Sequence, residues 1–70
     1  MWRRAVVGKE HIPVVIWQKN GITEVYDANA LHANIVNCED RINNDVNLDD
    51  FNKSALEQSI DHLKQGLSLL

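Results

Sequence analysis

Hydrophobic residues in the first half of the chain fall in short β-branched and aromatic runs. "IPVVIWQK" is such a run, and "ITEVY" is a second one. Between them stands Asn20-Gly21, the dipeptide favoured in two-residue type I′ turns because both positions require a positive φ. We therefore predict a β-hairpin with strands over about 12–19 and 22–26. "WRRAVV" (2–7) is a candidate for a further strand before it.

The second half of the chain changes to a helical period. Four apolar residues recur at i, i+4, i+7 and i+11, namely Leu31, Ile35, Cys38 and Ile42. This spacing predicts a helix over about 28–42. Asp27 precedes it and is a favoured N-cap residue.

A second apolar stripe predicts another helix over about 48–68. Its members are Leu56, Ile60, Leu63 and Leu67. Ser54 and Glu57 have the spacing of a capping box, which would start the helix at Ser54. Leu48 and Phe51 extend the stripe upstream, and for that reason we favour the earlier start near Asn47.

The predicted fold class is α+β. It consists of a small antiparallel β-meander of two or three strands, followed by two α-helices packed on one face. Seventy residues make one domain, 1–70. The predicted core residues in the helices are Leu31, Ile35, Leu56, Ile60 and Leu63.

The turn at Asn20-Gly21 sets the hairpin register and divides its side chains between two faces. One face carries Val14, Ile16, Gln18, Thr23 and Val25, and the other carries Val15, Trp17, Lys19, Ile22, Glu24 and Tyr26. We expect the helices to cover the first face. The second face, with its aromatic patch, is then left for a partner, with Val15, Trp17, Ile22 and Tyr26 as the binding residues. The alternative is that the second helix or the 2–7 strand folds over it.

Length and composition favour a partner. A chain of this size buries only about 60% of its unfolded surface, and the single cysteine, Cys38, excludes an internal disulfide. A homodimer is the expected source of further burial. The lone cysteine and the lack of a long apolar run indicate a cytoplasmic protein without a membrane span.

No motif in the sequence predicts catalysis, a cofactor or a metal. The three histidines are scattered, and Cys38 lies within an apolar stripe. "DVNLDD" (45–50) imitates the start of a calcium-binding loop. It has Asp50 where that loop needs glycine and Leu56 where it needs glutamate. We therefore predict a protein that is not an enzyme and carries no metal.

The sequence favours a small protein-binding module, such as an inhibitor, an antitoxin-like regulator or an adaptor. Small proteins of phages and mobile elements are often of this kind. The expected binding surface is the aromatic hairpin face, because aromatic side chains are enriched at interface cores.

The alternative is a dimeric DNA-binding regulator. The order of "ITEVYD" and two helices resembles that of the ribbon-helix-helix repressors, whose dimers insert a two-stranded ribbon into the major groove. Nucleic acid is nonetheless the less favoured partner. The net charge is −3, and Asp49 and Asp50 at the start of the second helix would repel phosphate.

Overall fold

A computed structural model describes residues 1–70 and shows three antiparallel strands followed by two helices. The strands β1, β2 and β3 and the helices α1 and α2 span Trp2–Val7, Ile12–Lys19, Ile22–Asp27, Ala28–Asn44 and Asp50–Leu67. The strands are hydrogen-bonded in the order β1-β2-β3. The prediction of an α+β meander with two following helices is confirmed. The candidate strand over 2–7 is present as β1, so the meander has three strands.

The β2–β3 turn has the geometry that its sequence predicts. Asn20 has a φ of 53° and Gly21 a φ of 78°, so both residues adopt the left-handed conformation of a type I′ turn. Lys19 pairs with Ile22, and Val15 pairs with Tyr26. The hairpin register is therefore the one that the turn dictates.

Each helix begins at an aspartate that caps it. Asp27 accepts a hydrogen bond from the Ala30 backbone N–H at 2.7 Å. Asp49 accepts one from the Asn52 N–H at 2.8 Å. Ser54 lies inside α2, so the capping-box start is not used. The helix begins just after the upstream start that we favoured.

The main buried cluster joins β2 to both helices, and its members are Val15, Leu31, Ile35 and Leu63. Because Val15 is the β2 residue in this cluster, both helices lie on its side of the sheet. We call this side the covered face and the side with Val14 and Ile16 the open face. The expectation that the helices cover the Val14 face is therefore wrong.

The reason for this arrangement lies in the aromatic side chains. Trp2, on β1, is opposite Trp17 and joins the covered face. Aromatic side chains bury more area than aliphatic ones, about 150–250 Å² each. Packing the helices against Trp2, Trp17 and Tyr26 therefore removes more apolar surface from water than packing them against Val14 and Ile16.

The helical hairpin extends beyond the sheet. The buried residues of α1 lie in its first half, and those of α2 lie near its end. The molecule is elongated, with extents of 45 × 25 × 17 Å. At the far end Phe51 is 80% exposed, so its predicted place in the apolar stripe does not bury it. Of the predicted core residues, Leu31, Ile35 and Leu63 are buried, whereas Leu56 and Ile60 are only half-buried. Neither helix is long and apolar enough to cross a bilayer.

Candidate interaction surface

Four rings pack together on the covered face. The ring centroids of Trp2 and Trp17 are 5.2 Å apart, and those of Trp2 and Tyr26 are 6.0 Å apart. His62 of α2 lies 4.8 Å from Trp2 and meets Trp17 edge-on at 4.3 Å. The three distances to Trp2 are typical of favourable aromatic pairs, and the contact of His62 with Trp17 is closer. The cluster therefore ties β1, β2 and β3 to α2.

Gly66 makes room for this cluster. A Cβ atom at Gly66 would lie 2.8 Å from Cζ2 of Trp2 and 2.9 Å from its Cη2. Only glycine lets the helix backbone approach the indole this closely. The Trp2 Nε1 atom is buried and has no hydrogen-bond partner, so packing rather than hydrogen bonding holds the ring.

Tyr26 is anchored at its polar end. Its hydroxyl donates a hydrogen bond to the Glu24 carboxylate. This hydrogen bond, followed by burial and the negative charge of Glu24, raises the pKa of Tyr26 to about 12. The phenol therefore stays neutral to a higher pH than a free tyrosine does, and its ring packs against the core cluster.

The four residues predicted to bind a partner have different environments. Val15 is 0% exposed and lies in the core. Trp17 and Tyr26 are half-buried within the aromatic cluster. Ile22, next to the turn, is 60% exposed. The patch predicted for a partner is therefore occupied largely by the chain's own α2 and β1, which is the alternative that the sequence left open.

The open face carries the apolar surface that the helices leave uncovered. Strand alternation and pairing place Ala5, Val7, Ile12, Val14, Ile16 and Val25 on it. Val14 and Ile16, on the central strand, are nonetheless buried. The exposed apolar side chains lie around them, and Val25 is the most accessible, at 54%. The open face therefore has a filled centre, in which Val14 and Ile16 are buried, and a rim of exposed aliphatic side chains.

Only two charged side chains belong to the open face, and they have opposite signs. Arg3 lies on β1, and Asp27 ends β3. Arg3 pairs across the sheet with Ile16, which pairs with Val25. Asp27 pairs with Val14, which is two residues from Ile16 on β2. The two charges therefore occupy opposite edges of the face and balance each other.

The end of the helical hairpin exposes a second apolar area. Val46, in the turn between the helices, and Phe51, in the first turn of α2, are both highly exposed. Asp45, Asp49 and Asp50 surround them in sequence. These two apolar residues are far from the sheet, so they are separate from the open face.

Other features of the surface offer little room for chemistry. A depression of about 190 Å³ lies where β2 and α1 begin. Sites for small molecules usually have volumes of about 300–1,000 Å³. No three side chains of His, Cys, Asp or Glu converge in a way that could hold a metal ion. Cys38 is a free, half-buried thiol.

No protein-family model, curated protein or solved structure matches this chain. The candidate surface is therefore defined by its geometry alone.

Sequence reasoning missed the role of Gly66, although the sequence contains a signal for it. Glycine inside a helix is destabilising by about 0.5–1 kcal/mol relative to alanine, and Gly66 is adjacent to Leu67 and three residues after Leu63 in the apolar stripe. A glycine in that place indicates a close approach by a large group. Trp2 is the group that the structure places there.

Proposed function

We propose that the protein is a small, non-enzymatic protein-binding module that acts through the open face of its sheet. The observation that carries this proposal is a three-stranded sheet with both helices on one side and an apolar, nearly uncharged surface on the other. Sheets of this kind normally bury an apolar face against a second layer. A protein partner would supply that layer.

The size of the exposed surface supports the same proposal. The accessible area is 5262 Å², whereas a compact monomer of 8.0 kDa is expected to expose about 4,450 Å². The excess, about 800 Å², is spread over the elongated molecule, including the open face and the exposed end of the helical hairpin. The radius of gyration is 13.8 Å, against about 11 Å for a compact domain of this length.

An inhibitor, an antitoxin-like regulator and an adaptor all fit this proposal, because each acts by covering or joining other proteins. The half-buried free thiol of Cys38 is compatible with a reducing compartment. We accordingly propose that the protein works in the cytoplasm.

DNA binding has less support. β3 is paired along its length with β2, and β2 is paired with β1, so β3 belongs to a three-stranded sheet and not to a two-stranded ribbon. The first turn of α2 begins at Asp50 behind the Asp49 cap. Two carboxylates at a helix N-terminus oppose phosphate binding.

Site-specific photocrosslinking in the cells that make the protein tests the proposal. A photoreactive residue replaces Val25 on the open face, and in a matched control it replaces Ile22. Both positions are exposed aliphatic residues of β3, but they lie on opposite faces. We expect a discrete protein adduct at position 25 that is absent or much weaker at position 22.

Two results would contradict the proposal. The first is no adduct at position 25, or equal adducts at both positions. The second is an adduct at position 25 that nuclease digestion removes, which would favour the DNA-binding alternative. An adduct at position 22 alone would restore the aromatic face as the binding surface.

A further inference from the structure

We propose that the occupant of the open face is a second copy of this chain, related to the first by a two-fold axis parallel to β2. This inference rests on the proposed function, since it names the partner that the open face binds. The two charges on the face are complementary to each other across such an axis, and exposed aliphatic side chains on the face have no layer packed over them.

A two-fold axis parallel to β2 superimposes β1 of one protomer on β3 of the other. Arg3 then lies above the partner's Val25, one diagonal position from the partner's Asp27. Residues two apart on a strand are about 6.7 Å apart, and packed sheets are about 10 Å apart. An arginine side chain spans such an offset. Oδ1 of Asp27 accepts the Ala30 N–H that caps α1, so Arg3 pairs with the other carboxylate oxygen of the partner's Asp27, and symmetry repeats this ion pair at the other edge.

The other principal arrangement has its axis perpendicular to the strands and superimposes β1 on β1. If this axis passes through the middle of the face, Arg3 lies one diagonal position from the partner's Arg3. This separation equals that between Arg3 and the partner's Asp27 in the first arrangement. Like charges then face each other at the rim, which disfavours that orientation. The charge pattern therefore selects the axis parallel to the strands.

The rest of the face is suited to self-association. Homodimer interfaces are more apolar than other interfaces, and Val7, Ile12 and Val25 supply exposed aliphatic surface around the filled centre. In the resulting dimer two sheets form the inner layers, and the helices of each protomer lie outside. The exposed ends of both helical hairpins remain free.

Analytical ultracentrifugation of the purified 70-residue chain, over a range of concentrations, tests this inference. We expect a particle of twice the 8.0 kDa chain mass. Val25→Glu should make it monomeric, because the carboxylate would be buried without a partner. Ile22→Glu is the matched control on the same strand, and it should leave the dimer intact. Circular dichroism checks that each variant is folded.

Further variants keep the test decisive if Val25→Glu does not fold. Val25→Thr preserves the β-branched shape and should still weaken the dimer. Arg3→Asp should weaken it by several-fold, because the new carboxylate would face the partner's Asp27. Asp27→Asn keeps a favoured N-cap residue for α1 and removes the charge. Combined with Arg3→Asp, it should recover part of the loss.

The possible failures are distinguishable. A chain that stays monomeric, or a dimer that Ile22→Glu breaks and Val25→Glu does not, overturns the second copy as occupant. A dimer that Val25→Glu breaks but Arg3→Asp leaves unchanged overturns the axis. If the chain is monomeric but position 25 still crosslinks to a different protein, the proposed function stands without this inference. A monomer with no crosslink at position 25 overturns both.

Discussion

The indole of Trp2 lies against the backbone of Gly66, so that a Cβ atom on Gly66 would come within 2.8 Å of the ring. This contact joins the first strand of the chain to the last turn of α2. Two residues separated by almost the whole sequence thus determine how closely the helix approaches the sheet.

We predict that Gly66→Ala destabilises the fold. Alanine alone would stabilise the helix by about 0.5–1 kcal/mol, but overpacking against the Trp2 ring costs about 1–3 kcal/mol. The expected net effect is a loss of about 1 kcal/mol in the free energy of unfolding, measured by urea denaturation. Ser59→Ala, at an exposed position of α2, is the control and should not destabilise.

A double-mutant cycle shows whether the Trp2 ring is the cause. Trp2→Leu removes the clashing atoms, so Gly66→Ala should be harmless or stabilising in that background. Equal losses in both backgrounds would mean that the glycine serves another purpose.

The local elements could be predicted from the sequence because their signals are local. Asn20-Gly21 specifies a turn and hence a register, and the spacing of Leu31 and Ile35 specifies a helix face. Which face of the hairpin the helices cover depends on a different kind of information. Strand alternation divides the side chains into two sets, but it does not say which set meets the helices. That choice is made by the distant contact of Trp2 with Gly66 and His62.

The same limit explains why the sequence predicts a binding surface on the covered face, whereas the structure leaves the open face without a second layer. Trp17 and Tyr26 have the composition of an interface, and from the sequence they are equally suited to a partner or to the chain's own α2. The structure supplies α2 as their neighbour. The apolar residues left without a layer are then Val25 and those around it, which the sequence had assigned to an ordinary core.

We predict that Trp17→Ala destabilises the fold itself. The ring is half-buried and contacts both Trp2 and His62, so its loss should reduce the free energy of unfolding by about 2–3 kcal/mol, somewhat less than for a fully buried tryptophan. Ile22→Ala, on the same face but exposed, should change it by less than about 0.5 kcal/mol. Thermal and urea denaturation measure both. A Trp17→Ala variant of unchanged stability would show that the aromatic cluster is not part of the core.

We predict that the start of α2 depends on Asp49 and not on Ser54. Asp49 accepts a hydrogen bond from the Asn52 N–H, so Asp49→Ala should cost about 1 kcal/mol of stability. Ser54 lies inside the helix, where alanine has the higher propensity, so Ser54→Ala should be neutral or slightly stabilising. If urea denaturation shows a larger loss of stability for Ser54→Ala than for Asp49→Ala, the helix starts at the capping box.

We predict that Tyr26 makes the stability depend on pH under alkaline conditions. Folding raises the pKa of its phenol from 10.0 to about 12. Between these values the unfolded chain binds fewer protons than the folded one, so stability falls as the pH rises through this window. Below pH 10 the contribution is fully present. In Tyr26→Phe the part of the pH dependence that is due to the phenol should disappear, which urea denaturation at a series of pH values measures against the wild type.

The chain has one tyrosine, so ultraviolet absorbance reports its titration directly. Glu24→Gln removes the negative charge and replaces the carboxylate acceptor with a neutral one. The pKa of Tyr26 should then move back toward 10, because hydrogen bonding to Glu24 is the largest cause of its rise. Glu39→Gln, on α1, changes the net charge by the same amount and should leave the Tyr26 titration where it is. If Tyr26 titrates identically in the wild type and in Glu24→Gln, its ring is not held on the covered face by this contact, and packing against the core cluster alone positions it.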